Sequence, residues 1–376
     1  MTLHIGPKTA HSKHDDSRQA ALDLIEQLQD CSPRLVVFFA TVEHDALTLG
    51  HALGDAFASA HVIGCSSNGE FCDKGYGVGG AVAIALGADL IDFCATAIVD
   101  LGLGIQAGVK AAAARLEKQC GLALSDLDPK HWIGLALLEG ARGQEERINE
   151  ALGYVAPLLP FVGGSAGDRI RFERTWVYVR GHRLFDGCAL AVVRPTRPFA
   201  VLKTCHFTAR PIEVTITKAQ PEKRLVLEID GKPAAARYAE LLSVKETALG
   251  PSLFLANPLG LMVDDEPWLR SIIRREGSAL LFACQVLPGM TLQLMEPQSL
   301  VADASKAFER AVAPLGVPPQ AAILWNCALR MLEAQHKGVE KDYHALLSCV
   351  PHVGMQSNGE SYLGHINQTL TGLVLT

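Results

Sequence analysis

Two nine-residue segments far apart in the chain are almost the same, and a shorter segment between them has the same design. They are IGCSSNGEF at 63–71, VGMQSNGES at 353–361 and VGGSAGD at 162–168. In each, an apolar run reaches a glycine, small residues follow, and a further glycine precedes a carboxylate. The pattern predicts a strand that ends in a tight turn with positive φ angles, which exposes backbone N–H groups beside one acid. Such turns can hold anions, but the adjacent carboxylate favours a ligand or a side chain that carries hydrogen-bond donors.

The surroundings of each turn repeat as well. An apolar strand, a helix, a second strand, the glycine turn and a third strand recur at 35–86, 132–193 and 321–375. Three unevenly spaced copies predict pseudo-symmetry within one globular protein rather than a solenoid. We therefore predict an α/β fold of mixed β-sheets flanked by helices. The glycine turn is too short for a parallel crossover, so the second and third strands of each copy should pair antiparallel or diverge.

The composition excludes several classes of protein. The 376 residues are 49% hydrophobic and 20% charged, with a formal net charge of −6, which indicates a compact fold. The sequence has no cluster of lysine and arginine, so nucleic acid is not an expected partner. The ten cysteines form no C-x-x-C pair, and we find neither an apolar leader nor a membrane-length apolar run. We expect a reduced, cytoplasmic protein that does not associate with membranes.

Several motifs together resemble the FIST family. Residues 64–70, 163–168, 172–175 and 228–234 resemble the FIST N-terminal domain, and residues 326–330, 357–360 and 364–369 resemble the FIST C-terminal domain. The resemblance divides the chain into an exposed lead-in with a helix at 1–30, a FIST N-terminal domain at 31–225 and a FIST C-terminal domain at 226–376. Asn68 and Asn358 stand where the family often has alanine or tyrosine.

The resemblance implies a cytoplasmic small-ligand sensor of bacterial signal transduction without catalytic activity. One subset of the family, built of little besides the two FIST domains, binds haem b to sense nitric oxide and regulates a partner histidine kinase. The alternative is an amino-acid sensor coupled to chemotaxis, through a chemoreceptor, or to cyclic-di-nucleotide signalling. A hydrolase that uses the turn serines is a third hypothesis, which the missing G-x-S-x-G elbow and general base disfavour.

The turns supply the first candidate ligand-binding residues. Their acids either contact a ligand or cap their own turns; we favour ligand contact for Glu70 and Glu360 and capping for Asp168. The other candidates in the turns are Cys65, Ser66, Ser67, Gly69, Gly164, Ser165 and Ser357.

The second group of candidates lies outside the glycine turns. His365 and Asn367 belong to the polar segment GHINQT before the last apolar strand, and His206 ends an earlier strand. His365 or His206 is the predicted haem ligand. For His365 there are two alternatives, a donor to a ligand carboxylate and a histidine that satisfies a buried carbonyl. Arg270 and Arg330 are the predicted inward-facing cations, suited to a ligand carboxylate or to an internal acid.

Overall fold

The computed structural model describes residues 6–376 and contains three repeats of one unit of strands and helices. The unit is an outer strand, a helix, a strand, a second helix, a strand, a hairpin and a final strand. The first repeat contains β1 (Lys8–Ser12), α1 (Ser17–Leu28), β2 (Pro33–Thr41), α2 (Ala46–Ala56), β3 (His61–Ser67), β4 (Glu70–Cys72), β5 (Gly75–Gly77) and β6 (Ala81–Gly87). The second contains β7 (Ile91–Asp100), α3 (Ile105–Cys120), β8 (Ile133–Leu138), α4 (Glu145–Val155), β9 (Phe161–Ser165), β10 (Val177–Val179), β11 (His182–Leu184) and β12 (Gly187–Pro195).

The third repeat is interrupted after its outer strand, β13 (Phe199–Thr204), by a separate lobe. The lobe contains β14 (Phe207–Gln220), β15 (Leu225–Ile229), β16 (Lys232–Pro233), α5 (Ala234–Leu241), α6 (Pro251–Ala256), β17 (Leu259–Val263), β18 (Glu266–Arg270), β19 (Ile272–Glu276), β20 (Ala279–Phe282) and β21 (Thr291–Pro297). The repeat resumes with α7 (Leu300–Val312), β22 (Ala321–Cys327), α8 (Ala328–His336), α9 (Glu340–Leu347), β23 (His352–Ser357), β24 (Glu360–Tyr362), β25 (His365–Ile366) and β26 (Leu370–Leu375). The predicted α/β class with mixed sheets and helical layers is confirmed.

The outer strands extend the repeat beyond the predicted bounds. Residues 8–12, predicted to lie in an exposed lead-in, form β1 and pair antiparallel with β6 along its length. Ala10 and Ser12 are buried, and Asp16 caps α1 by accepting from the backbone N–H groups of Arg18 and Gln19. The prediction of exposure for these residues was wrong because a five-residue strand gives too short a periodic signal beside three histidines.

Each repeat contributes to a six-stranded sheet, and each gives its hairpin to the sheet of another repeat. The first and second long strands of a repeat run parallel, and the final strand pairs antiparallel with the first. The hairpin after the glycine turn leaves its own sheet: β4 pairs with β23, β10 pairs with β3, and β24 pairs with β9. This cyclic exchange closes the three sheets into a ring. The second and third long strands of each repeat therefore do not pair with each other.

The inner faces of the three sheets share one hydrophobic core. Phe39 of the first sheet and Trp325 of the third meet edge to face, with ring centroids 6.4 Å apart, and Leu135 and Leu137 enter from the second. The helices cover the outer faces, with α1 and α2 on the first sheet, α3 and α4 on the second, and α7 to α9 on the third. Burial on both faces explains why the long strands read as continuous apolar runs rather than alternating ones.

The lobe has its own sheet and core. Eight strands lie in the order β18-β17-β21-β14-β15-β20-β19, with β16 on β15, around a cluster that includes Val226, Tyr238, Phe254 and Phe282. The chain enters the lobe at 205–206 and leaves at 298–299, and these two connections touch, because Gln298 N donates to the His206 carbonyl oxygen at 2.6 Å. Across residues 6–376, no helix has both the length and the apolar character needed to cross a membrane.

Candidate ligand-binding site

The three glycine turns meet at the centre of the ring, where backbone hydrogen bonds join every pair of turns. These bonds run from Asn68 N to Gln356 O (2.9 Å), from Ser165 N to Gly359 O (2.8 Å) and from Gly167 N to Ser66 O (2.9 Å). Close approach requires small residues here: a Cβ on Gly69 would lie 3.0 Å from the Gly77 carbonyl oxygen, and one on Gly164 would lie 2.8 Å from the Trp325 ring. These backbone groups are therefore satisfied by one another.

Glu360 is buried within its own repeat. Ser357 Oγ donates to Glu360 Oε1 at 2.6 Å, and the Thr369 backbone N–H and hydroxyl donate to Oε2 at 3.2 Å and 2.6 Å. Burial raises the pKa of Glu360 to about 8, although these hydrogen bonds act to lower it. The carboxyl group is enclosed by its own turn and by the start of β26.

Glu70 occupies the equivalent position in the first repeat, but it lines a small pocket. It accepts from the Ser67 hydroxyl and from Gly80 N (3.2 Å), and burial raises its pKa to about 7. The pocket, of about 270 Å³, lies beneath the glycine-rich segment 75–80 and is also lined by His11, Lys13, Asp15 and Tyr76. The β4–β5 hairpin and the segment that follows it therefore cover the pocket.

Asp168 stabilises the loop that follows it by accepting hydrogen bonds from the backbone. Its two carboxylate oxygens accept the backbone N–H groups of four consecutive residues, at 3.1 Å (Arg171), 2.9 Å (Phe172), 2.7 Å (Glu173) and 3.0 Å (Arg174). In the loop that follows Asp168, the residues Arg169, Ile170 and Phe172 have φ near +60°. The contacts support the capping alternative for Asp168, because the carboxylate pairs the donors that this backbone conformation leaves without carbonyl partners.

The turn serines and Cys65 are buried in the fold. The Ser66 hydroxyl accepts from the backbone N–H of Trp176 at 3.1 Å. Ser165 Oγ is buried without a hydrogen-bond partner in the described part of the chain. Burial raises the pKa of Cys65 well above its ordinary value, so its thiol stays protonated. In residues 6–376 no group of three or more His, Cys, Asp or Glu side chains has an arrangement that could hold a metal ion.

His206 and Arg330 form a buried polar chain. His206 Nε2 lies 2.8 Å from Glu333 Oε2, and His206 Nδ1 lies 2.8 Å from Arg330 Nη1. A carboxylate and a guanidinium fix the tautomer: Nε2 carries the proton and Nδ1 accepts from the arginine. Arg330 Nε also donates to Tyr343 Oη at 3.0 Å, whose hydroxyl donates to Asn326 Oδ1 at 2.8 Å. Both ring nitrogens of His206 are engaged, so this residue does not fit the role of a haem ligand.

His365 and Arg270 line the same cleft, of about 480 Å³, between the ring and the lobe. On one side are α4 and the segment that leads into β9; on the other are β18 and the β24–β25 turn. The apolar lining is Leu152, Gly153, Ala156, Pro157, Leu159, Pro160, Phe161, Trp268, Leu363 and Gly364, and the polar lining is Glu146, Asn149, Glu150, Arg270 and His365. These two candidates, 95 residues apart in sequence, are the ones that the fold brings into a common cavity.

The charges around the cleft are unevenly paired. Arg270 Nη1 donates to its neighbour's carbonyl oxygen at 3.1 Å, and Nε has no partner; no ion pair involves this guanidinium in residues 6–376. Below the cleft, Arg224 Nη2 pairs with Glu145 Oε2 at 2.5 Å and with Glu146 Oε2 at 2.8 Å. Beside the cleft, two carboxylates therefore share the guanidinium of Arg224. On the opposite side, the guanidinium of Arg270 has no carboxylate partner.

His365 is turned into the protein. Nδ1 is buried without a hydrogen-bond partner, and Nε2 lies 3.4 Å from Asn367 Nδ2. Its Cε1–Nε2 edge packs against Gly359, where an added Cβ would be 2.2 Å from Cε1. Burial lowers the pKa of His365, against the opposing effect of Glu146 and Glu145, so the ring is neutral at pH 7. Because Nδ1 is buried and Nε2 lies beside Asn367 and Gly359, the arrangement does not fit iron ligation by this residue.

Sequence reasoning missed part of the cleft wall. Trp268 is only two residues from Arg270, so the strand alternation that directs Arg270 inward also directs Trp268 inward, and that signal was available. Glu146 and Asn149 lie on a helix that was predicted without a function. Their role depends on the lobe folding back over α4, a long-range contact that local patterns do not encode.

Two family models together match most of the chain. Residues 34–232 match the family model of the FIST N domain, and residues 234–362 match that of the FIST C domain. The chain is 26% identical over 260 residues to the uncharacterized protein MJ1623 of Methanocaldococcus jannaschii; the match covers 63% of this chain and about half, 48%, of that protein. A structure of PurLQS from Thermotoga maritima aligns over 98% of this chain and 72% of that chain with 9% identity and a TM-score of 0.22, which is too weak to inform the fold.

Proposed function

Because the chain belongs to the FIST family, we propose that it is a sensor that binds a free amino acid in the cleft between the ring and the lobe. FIST domains are generally small-ligand sensor domains of signalling proteins rather than catalysts. The observation that carries the proposal is the uneven pairing of charge on the two sides of the cleft. Arg270 offers a guanidinium without a carboxylate partner, and Glu146 belongs to a pair of carboxylates that share Arg224.

An amino acid matches this arrangement at both ends. Its carboxylate suits the fork of N–H donors that Arg270 presents. Its ammonium group suits the side where Glu146 lies and where Asn149 has an amide oxygen, because Asn149 Nδ2 is already committed to the Glu145 carbonyl oxygen (2.8 Å) and Ser361 Oγ (3.3 Å). The volume of about 480 Å³ falls within the range of roughly 300 to 1,000 Å³ that is typical of small-molecule sites.

The position of the cleft also suits a sensor. A ligand there would contact α4 of the second repeat, the β24–β25 turn of the third and β18 of the lobe at once. A ligand bound in the cleft would therefore stabilise the contact between the lobe and the ring. A partner protein that contacts both parts would respond to this change. A histidine kinase or a chemoreceptor is the proposed partner, in keeping with the signalling role of the family.

Haem-based sensing of nitric oxide is the finer alternative, and it stays a prediction. Its two proposed ligands have unfavourable surroundings, since both nitrogens of His206 are hydrogen-bonded and those of His365 face the interior. Binding of an amino acid in the cleft does not require either histidine to change its contacts.

The experiment is a thermal-shift screen of the purified full chain against the common amino acids, followed by calorimetry on any that raise Tm. A ligand present at one hundred times its Kd stabilises the folded state by about 2.7 kcal/mol. Arg270→Gln should weaken binding by roughly ten- to hundredfold, because a hydrogen bond to a charged group is lost. Arg274→Gln is the matched control, since Arg274 lies four residues away on the surface and pairs with Glu276 at 2.6 Å. Equal affinity in both variants, or no shift with any amino acid, would refute the proposal.

A further inference from the structure

The three repeats contain three versions of the cleft, which differ in how much of the space is filled by the side chains of the protein. Three glycines take equivalent places in the second long strands of the repeats: Gly64, Gly163 and Gly354. In the sheet registers they face Tyr178, Ser361 and Phe71, each from the hairpin that another repeat supplies. Two of the three hairpin residues are aromatic, and the one at the cleft is a serine.

In the first repeat an aromatic ring fills the space between hairpin and helix. Tyr178 packs so closely on α2 that a Cβ on Gly50 would lie 2.2 Å from its Cζ, and its ring meets Phe38 edge to face at 5.6 Å. What remains is a pocket of about 270 Å³, lined by His51, Gly54, Ala58, Ala60 and Val62 among others. These residues precede Gly64 by the same intervals at which the cleft residues Glu150, Gly153, Pro157, Leu159 and Phe161 precede Gly163.

In the third repeat the same space is filled by three rings. Phe71 meets His344 edge to face at 5.6 Å, and Tyr76 stacks on the other side of His344 at 3.8 Å with nearly parallel planes. His344 lies ten residues before Gly354, which is the place that Gly54 and Gly153 hold in the other repeats. Helix and hairpin therefore both contribute aromatic side chains here.

In the second repeat, neither the helix nor the hairpin has an aromatic side chain at these equivalent positions. On the hairpin, Ser361 stands where the other repeats have an aromatic residue. On the helix, Gly153 has no side chain, and no atom lies within 4 Å of the position that its Cβ would take. Asn149 fills part of the space through its hydrogen bond to Ser361. The remaining volume is about 480 Å³, against about 270 Å³ in the first repeat. The surfaces that remain exposed to it are apolar and partly aromatic, from Leu152, Leu159, Phe161 and Trp268.

We propose that the cleft takes an amino acid with an aromatic side chain, whose ring occupies the space that protein rings fill in the other two repeats. This rests on the proposed function and specifies its ligand class. Aromatic rings gain from apolar burial and from edge-to-face or offset contacts with other rings, which Phe161 and Trp268 can supply. Arg270 takes the carboxylate, so the ring points towards α4 and the segment that leads into β9.

The test is calorimetric titration of the full chain with L-phenylalanine, L-tyrosine and L-tryptophan, compared with L-alanine, L-glutamate and L-lysine. The aromatic amino acids should bind roughly ten- to hundredfold more tightly than alanine, which corresponds to burying one large apolar side chain. Gly153→His places in the cleft the side chain that the third repeat carries, and it should reduce aromatic binding at least tenfold. Gly54→His is the matched control, because it makes the same change in the equivalent helix, also with no atom within 4 Å of the new Cβ, and should leave binding unchanged.

The outcomes separate this inference from the proposed function. If alanine or glutamate binds as tightly as phenylalanine and Arg270→Gln weakens both, the cleft binds amino acids but the aromatic selectivity is refuted. If aromatic amino acids bind and both histidine variants weaken them equally, the ring does not enter this cleft and the inference is again refuted. If no amino acid binds, the proposed function fails and the inference fails with it.

Discussion

Asn68 and Asn358, from the first and third glycine turns, meet at the centre of the ring, where Asn68 Nδ2 donates to Asn358 Oδ1 at 2.8 Å. Asn68 Oδ1 also accepts from the backbone N–H groups of Asp168 (3.1 Å) and Ile170 (2.8 Å) in the second turn, and Asn358 Nδ2 donates to the Gly140 carbonyl oxygen (2.9 Å). These two side chains thereby link all three repeats. Their place at the centre explains why asparagine, with both donor and acceptor, stands at these two positions.

We expect Asn68→Ala to destabilise the whole fold. The substitution leaves buried N–H groups of the second turn without a partner, which costs about 1 to 3 kcal/mol per group. Chemical denaturation should therefore show a lower midpoint with an unchanged slope. Asn257→Ala is the control, because the Asn257 side chain bonds only within the end of α6, to Leu253 O at 3.0 Å. Equal stability of the two variants would show that the central contacts contribute little.

The two turn glutamates should make the protein less stable as the pH rises. Burial raises the pKa of Glu70 to about 7 and that of Glu360 to about 8, above the ordinary value of 4.5. A group whose pKa is higher in the folded state binds more protons there, so its contribution is full below the unfolded pKa and is lost as the pH rises through the folded pKa. For Glu360 this window runs from about pH 4.5 to about pH 8.

Glu360→Gln tests this contribution, because the amide keeps the size of the side chain and cannot ionise. We expect the decline in unfolding free energy across this window to shrink by about 1.4 kcal/mol for each unit by which the folded state raises the pKa. The measurement is denaturation at a series of pH values. Glu309→Gln, on the exposed surface of α7, serves as the control. A pH profile identical to that of the unmodified protein would show that Glu360 does not titrate as proposed.

The repeat and its turns could be predicted from the sequence because each copy carries its own apolar runs and glycines. The exchange of hairpins could not, since β4, β10 and β24 are only three residues long and pair with strands of a different repeat. Glu70 and Glu360 take equivalent places in their hairpins, whereas Asp168, for which capping was favoured, accepts four backbone N–H groups of the loop that follows it. The position equivalent to Glu70 in the second hairpin is Val177, as the sheet registers place both beside the residue that follows the strand glycine. Arg270 and His365 were predicted separately, and their common cleft depends on how the inserted lobe packs.

Arg224 should be important for the contact between lobe and ring. It pairs with Glu145 and Glu146 of α4 and donates to the Ala283 carbonyl oxygen at 2.7 Å within the lobe. Arg224→Met would leave two carboxylates without their cation, one of them fully buried, and should cost about 3 to 5 kcal/mol. Lys218→Met is the control, because it breaks an exposed pair with Glu228 at 3.6 Å, which is worth about 1 kcal/mol or less. Hydrogen exchange should show faster opening around α4 in the Arg224 variant alone. If the amides of α4 were as well protected in this variant as in the control, Arg224 would not stabilise the contact between lobe and ring.

Haem binding can be examined directly by absorption spectroscopy of protein from haem-supplemented cells, in the ferric, ferrous and nitric-oxide-bound states. Because the nitrogens of His206 are bonded to Glu333 and Arg330 and those of His365 face the interior, we expect no sharp Soret band. A band that shifts with nitric oxide and disappears in His365→Ala, but persists in the control His182→Ala at an exposed site, would restore the gas-sensor hypothesis and show that the cleft rearranges.

Gly163→Ala should strongly destabilise the second repeat. Gly163 is paired with Ala136 in the parallel contact between β8 and β9, and an added Cβ would lie 1.8 Å from the Ala136 carbonyl oxygen. Backbone atoms cannot move aside as a side chain can, so β9 would have to separate from β8, at a cost of about 3 kcal/mol or more. Gly54→Ala is the control: it adds the same methyl group to α2 where no atom lies within 4 Å, and should stabilise by up to about 1 kcal/mol through helix propensity. If thermal denaturation gave both variants the stability of the unmodified protein, the close contact between β8 and β9 would have to be more adaptable than its geometry indicates.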